Sequence, residues 1–114
     1  MNVKANPSFA ICTYRVTKGQ EEKFIALLKR HWPTLRDSGF VENRPSQVFR
    51  GIDESGGTFF VEILEWKDSD MPNHAHEVPA VMSLWEPMGK CCESRLGRPA
   101  MEFPQTELVR LDRG

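Results

Sequence analysis

The chain has 114 residues, with 15 Lys plus Arg against 16 Asp plus Glu and a formal net charge of -1. That size supports one hydrophobic core, so residues 1–114 are expected to form a single domain. The charge balance gives no field to attract nucleic acid or acidic lipid, and no apolar run approaches the ~18 residues of a membrane span.

Cys12, Cys91 and Cys92 are odd in number, and two are adjacent, a spacing that closes a disulfide only with strain. Three buried thiols in a reducing compartment fit best. The opening MNVKANPSFA lacks the apolar core of a secretory signal, so the expected location is the cytoplasm.

Phe9 to Val16 is rich in aromatic and β-branched residues and reads as a first strand. Thr17 and Gln20 stand at capping-box spacing, and Phe24, Leu27, Leu28, His31 and Leu35 then mark one helical face, which Gly39 terminates. Pro33 falls inside that helix and should kink it or split off its last turn. Gln47 to Ile52 and Thr58 to Trp66 read as strands paired through the glycine-containing loop DESGG. In the third strand Phe59, Val61 and Ile63 point one way and Phe60, Glu62, Leu64 and Trp66 the other. The first set is expected to lie against the helices, and the second to meet a ligand or a partner subunit.

After the polar KDSDMPNHAHEVP, with room for a short turn, Val78, Val81, Met82, Trp85, Met88 and Cys92 trace a second amphipathic helix, bent at Pro87. Met101 to Leu111 alternates as a fourth strand, with Pro104 near its start or on an edge. The order β-α-β-β-α-β predicts an α+β, ferredoxin-like fold: a four-stranded antiparallel sheet with both helices on one face. Phe60, Leu64 and Trp66 on the other face would form an exposed apolar patch, and a homodimer through a two-fold axis would cover it.

The first strand running into TKGQEEKFIALLKRHWPTLR, the segment FVEILEWKDSD and the segment HAHEVPAVMSLWEPM together resemble the antibiotic biosynthesis monooxygenase-like proteins of the dimeric α/β barrel superfamily. The resemblance implies a dimeric barrel and oxygenation of a small aromatic or quinol-type substrate with neither metal nor flavin, the deprotonated substrate itself reducing dioxygen. In that frame Phe60, Leu64, Trp66 and Trp85 would line a cavity between sheet and helices together with Glu62. Tyr14 and Arg50 would hold an oxyanion, and His74 or His76 would move the proton.

Each of these residues also has a plainer role. His74 or His76 can be a solvated histidine or a helix cap, and Trp66 and Trp85 core or interface residues. Glu62, set among apolar neighbours, must pair with Arg15, Arg50 or another cation, or else carry a raised pKa. The haem-degrading branch of the family is disfavoured, because the positions matching its histidine and tryptophan hold Trp85 and Ala75, and its asparagine falls near Cys12. The alternative to an enzyme is a non-catalytic homodimer of the same fold that binds a small hydrophobic molecule or serves in assembly.

Overall fold

The computed structural model describes residues 7–112. Strand β1 (Ser8–Arg15) leads into helix α1 (Glu21–Asp37), and strands β2 (Gln47–Ile52) and β3 (Thr58–Trp66) form a hairpin. A short helix α2 (Met71–Ala75) precedes α3 (Pro79–Lys90), and two short strands follow, β4 (Met101–Glu102) and β5 (Gln105–Glu107). The sheet is antiparallel, in the order β2-β3-β1-β4, with β5 also on β1. The expected ferredoxin-like fold is present. Within one chain the sheet is open, and barrel closure would require a second copy.

Local chemistry departs from the sequence reading at several ends. The Thr17–Gln20 capping box does not form: Gln20 precedes α1 without a side-chain cap, and the Glu21 carboxylate accepts the Gly19 N–H at 2.8 Å. Neither Pro33 nor Pro87 breaks its helix. Each ring costs one backbone hydrogen bond, but α1 runs on to Asp37 and α3 to Lys90, because Leu35 and Met88 bury beyond the prolines. Helix α1 stops before Gly39, whose φ of +83° favours glycine. The predicted fourth strand is two, because Pro104 lies between them and has no N–H for the ladder.

The largest correction concerns the two faces of the sheet. Phe60, Leu64 and Trp66 lie beneath the chain's own helices, at 1–3% exposure, and Glu62 among them is fully buried. The Phe24 ring of α1 lies 5.4 Å from Phe60 and 4.9 Å from Tyr14, so α1 covers this face directly. Ala10, Cys12 and Tyr14 are the β1 partners on the same side. Phe59, Val61 and Ile63, expected under the helices, face the open side with Ile11, Thr13 and Phe49. Both sets are apolar, so alternation establishes the period but cannot say which face is covered. The choice follows from the buried polar partners waiting for Glu62 beneath the helices, described below.

Leu64 is therefore a core residue. Leu64→Ala should cost about 2–5 kcal/mol of stability, whereas Val61→Ala on the open face should cost about 1 kcal/mol or less. Urea midpoints of the two variants check the assignment, and the order reverses if the faces are exchanged.

Candidate active site

Glu62 projects from the middle of β3 into the space under α1 and has donors from three other parts of the chain. Tyr14 Oη of β1 donates to Oε1 at 2.7 Å, His31 Nδ1 of α1 bonds the same oxygen at 2.9 Å, and Ser46 Oγ donates to Oε2 at 2.8 Å. The loop carrying Ser46 is fixed by a two-pronged ion pair, Arg44 Nε and Nη2 to the two oxygens of Glu65 at 2.8 and 3.0 Å. Among the described residues no arginine reaches Glu62, contrary to the sequence expectation: Arg15 pairs with Glu102 and Arg50 lies over the Phe60 ring at 5.3 Å. The carboxyl is not raised either. Burial pushes its pKa up, but the hydrogen bond and electrostatic attraction of His31, followed by the Tyr14 and Ser46 hydrogen bonds, outweigh burial and bring it below its ordinary value.

The same charge acts back on its neighbours. Burial first, and the Glu62 carboxylate second, push the Tyr14 hydroxyl well above its usual range and the Cys12 thiol to about 12. Tyr14 is thus a neutral donor whose O–H already bonds Glu62.

His31 continues the chain of bonds. Its Nε2 lies 2.8 Å from the indole Nε1 of Trp85 on α3, and an indole N–H can only donate. Nε2 must therefore be the bare nitrogen, and Nδ1 carries the hydrogen that bonds Glu62. A carboxylate holding one imidazole nitrogen so that the other offers a lone pair is the arrangement used to orient a general base.

His31 lines one of two small adjoining cavities, and Trp85, the partner of its Nε2, lines both. One, of about 100 Å³, is lined by residues that include Cys12, His31, Leu64, Trp66, His76 and Trp85. The other, of about 160 Å³, is lined by residues that include Tyr14, His76, Met82, Trp85, Met101 and Phe103. Trp85, His76 and Phe103 belong to both, and the His76 ring meets Trp85 edge-on at 4.7 Å.

Of the residues singled out from sequence, Tyr14, Leu64, Trp66, Trp85 and His76 thus line this region, and Glu62 anchors it from behind. Phe60 and Arg50 line a separate open groove between α1 and β2, and His74 is exposed on α2. His31 was read only as one position of an apolar helical stripe. A histidine on such a stripe, together with a glutamate amid apolar strand residues, was the available signal, since two buried polar groups in one small core must find each other.

The Glu62 charge leaves a pH signature. A group whose folded pKa is depressed contributes stability above its unfolded value of 4.5 and loses that contribution as pH falls through the folded value. Glu62→Gln can keep the geometry, its oxygen accepting from Tyr14 and His31 and its amide donating to Ser46 Oγ, but it has no charge to titrate. Urea titrations below pH 4.5 should therefore show a smaller acid loss of stability in Glu62→Gln than in the unsubstituted protein. Parallel curves would mean that Glu62 does not titrate differently on folding.

No protein family model matches the chain, and no curated protein matches it. Its fold is shared with solved structures. A variant of SnoaB, a cofactor-independent oxygenase from Streptomyces nogalater, superposes with a TM-score of 0.64 at 14% identity, over 96% of this chain and 100% of that one. A protein provisionally named antibiotic biosynthesis monooxygenase from Bordetella bronchiseptica gives 0.68 at 13% identity, over 92% and 99%. One from Nitrosomonas europaea with the same provisional name gives 0.68 at 11% identity over the whole of both chains. At these identities the likeness establishes the fold, and it is the fold that the sequence resemblance to the antibiotic biosynthesis monooxygenase-like proteins implied.

Proposed function

We propose that this protein is a cofactor-independent monooxygenase acting on a small, single-ring aromatic or quinol-type substrate held between the sheet and α3. The observation that carries the reading is the Glu62–His31 pair, buried and hydrogen-bonded, with the His31 ring at the wall of an aromatic-lined cavity and its second nitrogen, Nε2, bonded to the Trp85 indole. The fold shared with an oxygenase of this class supports it.

In this reading His31 Nε2 takes the hydroxyl proton of a quinol, and the Glu62 carboxylate stabilises the imidazolium that forms. The electron-rich ring carbon of the anion then bonds one oxygen of dioxygen. The imidazolium returns its proton to the outer peroxide oxygen, and the hydroperoxide loses water as its oxygen–oxygen bond and the hydrogen on the same carbon break away to leave a carbonyl, so a quinol and dioxygen give a hydroxyquinone and water. The buried walls Leu64 and Trp66, with the half-buried Trp85, keep bulk water from the anion. Size limits the substrate: a cavity of about 150 Å³ is enough for benzene, so spaces of about 100 and 160 Å³ suit one ring rather than a polycycle. Hydroquinone should drive enzyme-dependent oxygen uptake in metal-free buffer, and His31→Gln should lower it by roughly 10²-fold or more, the usual worth of a positioned base. Absence of uptake across a panel of one-ring quinols would remove the oxygenase reading and leave a binding protein.

We also propose that a second copy covers the open face of the sheet. Phe49 is 53% exposed there and lies beside Val61, with Ile11 and Ile63 next to it, an apolar surface that monomers rarely leave to water. Light scattering should give twice the chain mass, and Val61→Arg should shift it toward one chain mass without unfolding. A dimer indifferent to Val61→Arg would move the interface elsewhere.

A further inference from the structure

The Trp85 indole occupies the one nitrogen that the proposed chemistry needs free. Its N–H donates to His31 Nε2 at 2.8 Å, and the same side chain forms the wall common to the two cavities. We infer that Trp85 is a displaceable cap on His31, and that the ligand able to displace it is a neutral one-ring molecule bearing a hydroxyl, which replaces the indole N–H as donor to Nε2. The inference rests on the oxygenase reading for its biological purpose, but not for its geometry.

Three features of the site support a cap that moves. Trp85 is only half-buried, unlike Trp66, so its ring has a way out toward solvent. Its outer neighbour is the exposed His76, whose ring rests edge-on against it and can move without disturbing the core. Because Trp85, with His76 and Phe103, is common to the linings of both, turning it outward would open the space beside Trp66 toward the one beside Met101.

The exchange also sets the ligand's chemistry. Nε2 offers a lone pair and no hydrogen, since Nδ1 is bonded to Glu62. A phenolic hydroxyl satisfies that lone pair in place of the indole. An ether such as anisole has the ring but no donor, and would leave Nε2 unpaired in an apolar wall. A carboxylate such as benzoate would set a negative charge against the lone pair, close to the buried Glu62 charge. The site should therefore rank phenol above anisole and benzoate, although the three rings are alike.

The test uses the intact protein, with phenol, anisole and benzoate as probes. The Trp85 indole N–H resonance, assigned by its loss in Trp85→Phe, should shift on titration with phenol as its hydrogen bond to His31 breaks, and stay in place with anisole or benzoate. Trp85→Phe removes the competing donor, so the ratio of phenol to anisole affinity should rise about five-fold, the worth of one neutral hydrogen bond. An indole resonance unmoved by phenol, an equal response to anisole, or an unchanged affinity ratio would each overturn the cap. If Trp85→Phe fails to fold, the titration of the unsubstituted protein decides alone, the resonance then being assigned with Trp85→Tyr. Oxygen uptake separates the two readings. A phenol-responsive indole without uptake supports the cap and removes the oxygenase, and uptake with a silent indole removes the cap.

Discussion

A carboxylate with no exposed surface is the constraint around which this molecule is arranged. Taking an ion of that size out of water costs several kcal/mol even after relaxation, and only well-placed donors offset the loss. Glu62 obtains them from β1, from α1 and from the loop before β2, so its hydrogen bonds exist only when those parts have docked in one register. The next bond, from Trp85 to His31, brings in α3. One polar chain thus fixes the relative placement of both long helices on the sheet, which apolar packing alone specifies less sharply.

The network also explains which parts of the fold were legible in the sequence. The order of elements and the limits of β2 and β3 followed from alternation, glycine placement and helical periodicity, which are local properties. The covered face of the sheet was not local. Phe60, Leu64 and Trp66 on one side and Phe59, Val61 and Ile63 on the other are equally credible core sets, and choosing between them requires knowing what Glu62 meets. Pro33 left two outcomes open, a kink or the loss of the last turn, for a related reason. A lost hydrogen bond there argues for a break only while the residues beyond it have nothing to bury against, and Leu35 does.

The candidate site was partly legible. Trp85, Trp66, Leu64, Tyr14 and His76 were named and do line the cavities, but the central imidazole was assigned to packing. Histidine 31 sits in register with Phe24, Leu28 and Leu35, where a histidine is usually a satisfied core residue, and it is indeed satisfied. Its significance lies in how it is satisfied. A carboxylate on one nitrogen and a removable aromatic donor on the other leave a base whose only occupied position is held by a group that can leave, and nothing in a helical stripe reveals that.

Moving the apolar set from one face to the other also separates association from chemistry. In the sequence reading Phe60, Leu64 and Trp66 served both the cavity lining and the patch covered by a second chain, so dimerisation and catalysis were tied together. In the structure every residue of the Tyr14–Glu62–His31–Trp85 chain belongs to one protomer and lies on the helix side of the sheet, whereas Phe49, Val61 and Ile63 lie on the other. A partner docked on the open face is separated from Glu62 by the thickness of the sheet. On that arrangement a charge placed at Val61 acts on assembly, while a change at His31 acts on the cavity.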